Sequence, residues 1–381
     1  MFHGKRLAIA WFFFMFIFFV VAKCEFLCYN TCHSIISEAV FMYSMILTIK
    51  EAICKILAVI FLLPTGYCLS DSNNTVTAAN PFESIENPYI VEYLNPDIAA
   101  HRSGAGNAPQ NTLMAFENII EQGDDCCVDT IEFDVQITAD GELILQHDLT
   151  YDSTSNAAEA FGKNNVYVSS LTFEEAQVLN LGENFEVDGE YPYRGLRGDE
   201  IPENLRVVTC DSIIDYVEAN CGDKKYNYLI EVKSIGADGK RAVDKLYSII
   251  SERNLTDRTV WSTFAPDVSS YMKSDYPEIP RTADAIEAVG FYLYFALGLD
   301  LKDANPSYVA LQIPYGGIIN DFIDLGSKEM LDYAHSYNIA VQYWTINEEE
   351  DVKRLTENGA DCIITDYPEM AYGVIENCKN Q

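Results

Sequence analysis

Basic residues are scarce in this 381-residue chain: 25 Lys plus Arg stand against 58 Asp plus Glu, a formal net charge of −33. A phosphate-backbone partner needs a basic face, so this composition excludes a nucleic-acid binder. The poverty in apolar residues that marks a disordered chain is absent too, because 49% of residues are hydrophobic and 12% aromatic. No cysteine pair has zinc-ribbon spacing, and neither an internal repeat nor a low-complexity tract occurs. The longest apolar run stops short of the ~20 residues that a membrane-spanning helix needs. Histidines number only five, which makes the position of each informative.

Two apolar runs are nevertheless present near the start, Leu7–Ala22 behind Lys5 and Arg6, and Ile56–Pro64 behind Lys50 and Lys55. Both carry their basic flank on the N-terminal side, so the positive-inside tendency asks for the same orientation twice, which two successive spans cannot satisfy. The second run has the shape of a signal peptide, with an in-frame start at Met45 and small-residue cleavage sites at Cys68-Leu69-Ser70 and Val76-Thr77-Ala78. Residues 1–70 are therefore expected to be a hydrophobic leader, a signal peptide or membrane anchor, and 71–97 a linker and lead-in. The leader holds five basic and three acidic residues, which leaves 20 basic against 55 acidic, −35, on the remaining 311. That acidic part is expected outside the cell or on its surface; the alternative is two spans and a cytoplasmic domain. Cys126 and Cys127 are the candidates for disulfides there, whereas Cys210 and Cys221 bracket a helix whose ends lie too far apart to pair.

From residue 98 onward, short apolar runs alternate with amphipathic stretches, the pattern of a βα repeat. Nine strands are expected: Ile98–His101, Thr130–Val135, Glu142–His147, Tyr228–Lys233, Val260–Phe264, Arg281–Ala285, Val309–Ile313, Ala340–Ile346 and Cys362–Thr365. Too few residues separate the second from the third for a parallel crossover, and Asp140-Gly141 is a hairpin turn, so the third folds back on the second. Eight strands remain for a (β/α)8 TIM barrel over 98–372, with a cap-like insertion at about 150–203 carrying a short helix (Thr172–Leu179) and a tail at 373–381.

The chemistry concentrates at strand ends. His101 and His147 both follow apolar strand residues, and side chains at the C-terminal ends of barrel strands point into the site-bearing mouth. Glu132 and Asp134 share one strand face. A two-residue turn at Asp140-Gly141 would set Asp134 directly opposite His147, and a bulge at Gly141 would shift that register by one. Glu231 interrupts an apolar strand, with Lys233 two residues on. Three carboxylates this close repel by ~4 kcal/mol per pair at an effective dielectric of 20, so they call for a cation. All-oxygen ligands favour Mg²⁺ or Ca²⁺ over zinc. Salt bridging to Arg102 and Lys233 is the structural alternative.

His101-Arg102, Ala-Pro-Gln-Asn-Thr (108–112), Ile-Glu-Phe-Asp-Val (131–135), Thr-Ala-Asp-Gly (138–141), Gln-His-Asp (146–148) and Ile-Glu-Val-Lys (230–233) together resemble the glycerophosphodiester phosphodiesterase family. Tyr-Trp-Thr-Ile-Asn (343–347) and Asp-Cys-Ile-Ile-Thr-Asp-Tyr-Pro (361–368) match that family's C-terminal pattern. The resemblance spans essentially 98–372. It implies that His101 and His147 are the catalytic acid–base pair, that Glu132, Asp134 and Glu231 bind one divalent cation, and that Arg102 and Lys233 contact the substrate phosphate. Trp344 is expected to line the substrate pocket and His335, on a helix, to be structural. Two positions depart from the family: Gln110 replaces its usual Glu and Ser103 its usual Gly. The implied reaction is metal-dependent hydrolysis of a small-molecule glycerophosphodiester to an alcohol and sn-glycerol 3-phosphate. Water and a substrate hydroxyl both qualify as nucleophile, and either histidine as the base. A phospholipase acting on lipid phosphodiesters and a non-catalytic surface binding module are the competing readings.

Overall fold

The computed structural model of the chain describes residues 87–122, 128–316 and 324–380. The leader, most of the lead-in, Cys126 and Cys127 lie outside the described residues. The chain divides into two units, and the larger, 79–295 with 300–381, holds nearly all of the described residues. Every strand among the described residues belongs to this larger unit. Among the described residues no helix is long and apolar enough to cross a membrane.

The strands are β1 (Asp97–Ala100), β2 (Thr130–Ile137), β3 (Leu143–Leu145), β4 (Asn227–Val232), β5 (Thr259–Ser262), β6 (Ala310–Pro314), β7 (Ala340–Trp344) and β8 (Cys362–Thr365). They form one curled sheet in the order β5-β4-β2-β1-β8-β7-β6, parallel throughout except for β3, which pairs antiparallel with β2. The expected strand Arg281–Ala285 shrinks to two residues, yet those two close the ring: Arg281 bridges Trp261 on one side and Thr282 bridges Ala310 on the other. Each stave is followed by a helix, α1 (Leu113–Gln122), α2 (Cys210–Asn220), α3 (Gly236–Glu252), α4 (Pro266–Asp275), α5 (Ala285–Leu297), α6 (Lys328–His335), α7 (Glu349–Asn358) and α8 (Pro368–Lys379). The architecture is the expected (β/α)8 barrel.

Strand alternation sorts the side chains. Ile131, Phe133 and Val135 of β2 and Ile230 and Val232 of β4 face outward into the core shared with the helices. The intervening residues face inward: Ala99, Leu229, Val260, Ala310, Ala340 and Ile364 pack together as the barrel floor, and Glu132, Asp134 and Glu231 share their parity. The two-residue stave is held from both sides. Inside, Thr282 Oγ1 donates to Ser262 Oγ (3.1 Å), Ser262 Oγ to Gln312 Oε1 (2.9 Å) and Gln312 Nε2 to Gln342 Oε1 (3.1 Å). Outside, the buried Arg281 guanidinium makes a bidentate pair with Glu287 (2.6 and 2.7 Å) and also donates to Ser307.

The hairpin register differs from the expected one. Val135 faces Leu145 and Gln136 faces Ile144, and Gln146 N donates to the Asp134 carbonyl, so Asp134 lies opposite Gln146 rather than His147. Gly141 takes φ +90, a conformation only glycine adopts freely, and makes the turn three residues long. The strand expected over Glu142–His147 is correspondingly short and ends at Leu145, which frees the chain to turn His147 toward the mouth. The expected helix Thr172–Leu179 contracts to Phe173–Ala176, started by a capping box between Thr172 and Glu175. Cys210 and Cys221 are free thiols flanking α2, as expected. His335, at the end of α6, pairs through Nε2 with the buried Asp361 (2.8 Å), a structural role.

Because Arg281 is buried and paired, its removal strands the Glu287 carboxylate at the narrowest stave. Arg281→Ala is expected to destabilise the fold by about 3 kcal/mol, the cost of breaking a buried ion pair, measured as a lowered urea midpoint at unchanged m-value. A loss under ~0.5 kcal/mol would show that the bridge at Thr282 alone closes the barrel.

Candidate active site

The site begins where β1 ends. Immediately after Ala100 the chain enters a tight turn, His101–Ser103, in which Arg102 and Ser103 both take left-handed backbone angles (φ +48 and +64). Ser103 stands where the resembled family has glycine, and a side chain there costs on the order of 1 kcal/mol. The turn is closed by Asn111 N donating to the Arg102 carbonyl (3.1 Å). Its product is a backbone donor aimed inward: Arg102 N bonds Glu132 Oε2 at 2.6 Å.

Glu132 and Asp134 of β2 and Glu231 of β4 converge inside the mouth, with one carboxylate oxygen from each lying within 4.8 Å of the others. The register explains this, since Asp134 and Glu231 are direct partners across the β2–β4 ladder. Glu132 and Asp134 are buried, at 5% and 1% exposure. Asn111 grips Asp134 twice, donating from Nδ2 to Oδ2 (2.9 Å) and accepting the Asp134 N–H on Oδ1 (3.2 Å). Lys233 Nζ lies 2.6 Å from Glu231 Oε1 and 3.3 Å from Asp134 Oδ1, and Arg102 Nε 3.6 Å from Asp134 Oδ2.

The electrostatics follow from this crowding. Burial, then the neighbouring Asp134, pushes the Glu132 carboxyl up to about 7. Burial would raise Asp134 as well, but Lys233, His147 and Arg102 outweigh it and hold that carboxyl near 2. Burial raises Glu231 against the pull of Lys233. A hard, oxygen-only donor set with more negative charge than its own cations neutralise suits a divalent ion of the Ca²⁺ or Mg²⁺ type.

Both histidines are held by a carboxylate on the same ring nitrogen. His101 Nδ1 is 2.7 Å from Asp366 Oδ1, and His147 Nδ1 is 2.6 Å from Asp148 Oδ1. That leaves Nε2 on each ring to exchange a proton. Asn347 Nδ2 donates to the other oxygen of Asp366 (2.7 Å), fixing it from the end of β7. Burial disfavours the imidazolium of His101, but the Asp366 hydrogen bond together with the charges of Glu132 and Asp366 outweighs it and raises the proton affinity.

All eight residues expected at the site therefore lie at the same end of the barrel. Trp344 ends β7 and packs edge-on to Phe264 (5.7 Å), whose ring lies 5.6 Å from Lys233 Nζ. Sequence reasoning assigned no role to Asp366, Asn347, Asn111 or Asp148. The signal for Asp366 was topological: closure makes the last strand a neighbour of the first, and Thr365 pairs with Ala100, so the next residues are Asp366 and His101. Gln110 Oε1 accepts from Arg102 Nη1 (2.5 Å). A neutral amide there satisfies the guanidinium without cancelling its charge.

The glycerophosphoryl diester phosphodiesterase family model matches residues 101–370. The chain belongs to that family. A glycerophosphodiester phosphodiesterase of Caldanaerobacter subterraneus subsp. tengcongensis is 28% identical over 278 residues, 73% of this chain and 97% of the relative. Among solved structures, an Oleispira antarctica phosphodiesterase in complex with the product sn-glycerol-3-phosphate superposes with a TM-score of 0.54 at 20% identity, covering 74% of this chain and 97% of that one. A glycerophosphodiester phosphodiesterase from Agrobacterium tumefaciens gives a TM-score of 0.54 at 18% identity, covering 73% and 100%. The chain is thus an enzyme of the phosphoric diester hydrolase class, and the reading as a non-catalytic binding module is set aside.

Asp366→Asn keeps the shape of the His101 pair and removes its charge. Turnover is expected to fall at least about tenfold, part of the 10²–10⁴ that a general acid or base contributes, and the limb of the pH–rate profile belonging to His101 to move to lower pH. An unmoved profile would reduce Asp366 to scaffolding.

Proposed function

We propose that this enzyme hydrolyses glycerophosphodiesters to an alcohol and sn-glycerol 3-phosphate in a divalent-cation-dependent reaction, with His101 and His147 as its acid–base pair. The observation that carries the reading is the convergence of two Nδ1-anchored histidines with a three-carboxylate cluster at one barrel mouth. The product complex of the Oleispira relative supports the substrate class.

Glu132, Asp134 and Glu231 would hold the cation, which supplies positive charge to the non-bridging oxygens as the phosphorus centre is attacked. Arg102 and Lys233 add to that charge, and both are partly buried, where it counts for more than in water. Through Nε2 one imidazole takes the proton of the nucleophile, either water or a glycerol hydroxyl, the latter giving a cyclic phosphate that water then opens. The other gives its proton to the departing alcohol oxygen as the P–O bond breaks. Asp366 and Asp148 keep both rings in the tautomer this exchange requires.

The same proposal includes export. The basic-then-apolar leader supports it, and an external location would expose the domain to protease added to intact cells; protection until lysis would overturn it.

Chelation tests the cation. EDTA treatment of the purified enzyme is expected to abolish turnover, with Ca²⁺ or Mg²⁺ restoring it, and the ion is expected to raise the melting temperature, since only the folded state gathers the three carboxylates. Full activity in exhaustively chelated, metal-analysed protein would overturn the site. His101→Ala and His147→Ala are each expected to lower turnover by about 10² to 10⁴-fold with the fold intact; near-normal turnover in either removes that residue from the acid–base pair.

A further inference from the structure

A cavity of about 230 Å³ opens beside the catalytic residues, between the loop that follows β1 and the insertion. Asp366, the partner of His101, and Gln110, the partner of Arg102, both line it. A group esterified to a phosphate held by Arg102 therefore reaches it directly. The volume is below the ~300 Å³ where pockets for drug-sized ligands begin, so it suits one small alcohol and not a lipid chain.

Its walls are built. On one side the Tyr367 ring lies across Gly106, so close that a Cβ there would sit 2.3 Å from it, and Gly106 N is bonded to the Asp366 carbonyl (3.1 Å). On the other, the insertion presents Phe185, stacked on Tyr193 (6.2 Å), and Tyr193 in turn packs against Gly182 where a Cβ would clash. Next to Phe185 comes Glu186, with one oxygen bonded by the Tyr191 hydroxyl at 2.5 Å. The lining thus holds two aromatic rings and two carboxylates, Glu186 and Asp366, and no lysine or arginine. The arginines of the insertion are engaged elsewhere: Arg197 with Glu159 and Glu183, and Arg194 over the Tyr191 ring and on the Glu183 carbonyl.

Aromatic faces combined with carboxylate charge form a site for an organic cation, the ring quadrupole and the carboxylate both attracting an ammonium group. An anionic head group would be repelled by both carboxylates, and a neutral polyol, although Ser153, Thr154 and Asn184 of the lining offer it hydrogen bonds, would gain neither term. We infer that this cavity is the head-group subsite of the enzyme and that Phe185, Tyr367 and Glu186 select glycerophosphodiesters of cationic amino-alcohols, of the choline or ethanolamine type. The inference rests on the hydrolase reading above and adds to it which alcohol leaves.

The test compares kcat/KM of the metal-loaded full-length enzyme on glycerophosphocholine, glycerophosphoethanolamine, glycerophosphoglycerol and glycerophosphoinositol, following release of sn-glycerol 3-phosphate. The cationic substrates are expected to be favoured about fivefold or more, a factor typical of a cation–π contact. Glu186→Gln and Phe185→Ala are expected to bring the ratio of cationic to neutral substrates toward one, chiefly through KM. Choline alone is expected to inhibit glycerophosphoglycerol hydrolysis competitively in the unsubstituted enzyme, which keeps the test decisive if a variant fails to fold. Equal kcat/KM values across the four substrates, or absence of inhibition by choline, would overturn the subsite while leaving the hydrolase intact. No turnover of any of the four would instead overturn the hydrolase reading.

Discussion

Three carboxylates converging on the inner face of two adjacent strands are the constraint around which the rest of the mouth is arranged. Burial, and then like charge this close, push a carboxyl toward its protonated form, and that of Glu132 is displaced upward to about 7. The fold keeps Asp134 ionised by surrounding it: Lys233 and Arg102 on its charged side, Asn111 on both its carboxylate and its own N–H. The left-handed turn at 102–104 is the backbone consequence. Only by bending there does the chain bring the Arg102 N–H to Glu132 and its guanidinium toward Asp134 while leaving His101 facing the mouth. The strain is local, whereas the charge it serves is shared by two strands.

The barrel supplies what the cluster needs because parity along a parallel strand is strict. Leu229 completes the floor and Glu231, two residues on, enters the mouth; Ile230 and Val232, on either side of Glu231, belong to the helix-facing core. A one-residue slip between β2 and β4 would exchange the buried carboxylates for apolar residues, so the outer hydrophobic core also fixes the geometry of the charged site. Where the sheet does not carry catalytic groups it is allowed to thin. The stave at Arg281–Thr282 consists of two bridging residues, and hydrogen bonds inside and an ion pair outside replace the missing ladder.

Much of this was legible in the sequence because its signals are local or periodic. The alternation of apolar runs with amphipathic stretches announces the barrel, and a charged residue inside an apolar strand, as at Glu231, announces its inner face. The hairpin register was not legible, because the sequence Asp140-Gly141 permits a two- or a three-residue turn and the choice rests on the backbone angle that Gly141 adopts. The stave at Arg281 was overextended for a related reason: its residues have strand character, but the chain turns into α5 once its two bridges are made. Asp366 and Asn347 escaped because their roles come from ring closure, which sets the ends of the seventh and last strands beside the end of the first although the chain separates the first from both by more than two hundred residues.

A chain of net charge −33 that binds an anion presents a contradiction that the local arrangement resolves. At physiological ionic strength, exposed charges farther away than ~8 Å are largely screened, so the phosphate responds to the mouth and not to the outer surface. Within the mouth, Glu132, Asp134 and Glu231 against Arg102 and Lys233 leave a single negative charge; a divalent cation turns this into a single positive one, matched in magnitude and opposite in sign to a phosphodiester. Gln110 fits the same balance. A carboxylate there would neutralise Arg102 and return the loaded site to zero, whereas the amide holds the guanidinium in place with its charge intact. The remaining carboxylates lie outside that balance: Asp366 and Asp148 are each held against a histidine, and Glu186 lines the cavity to the side.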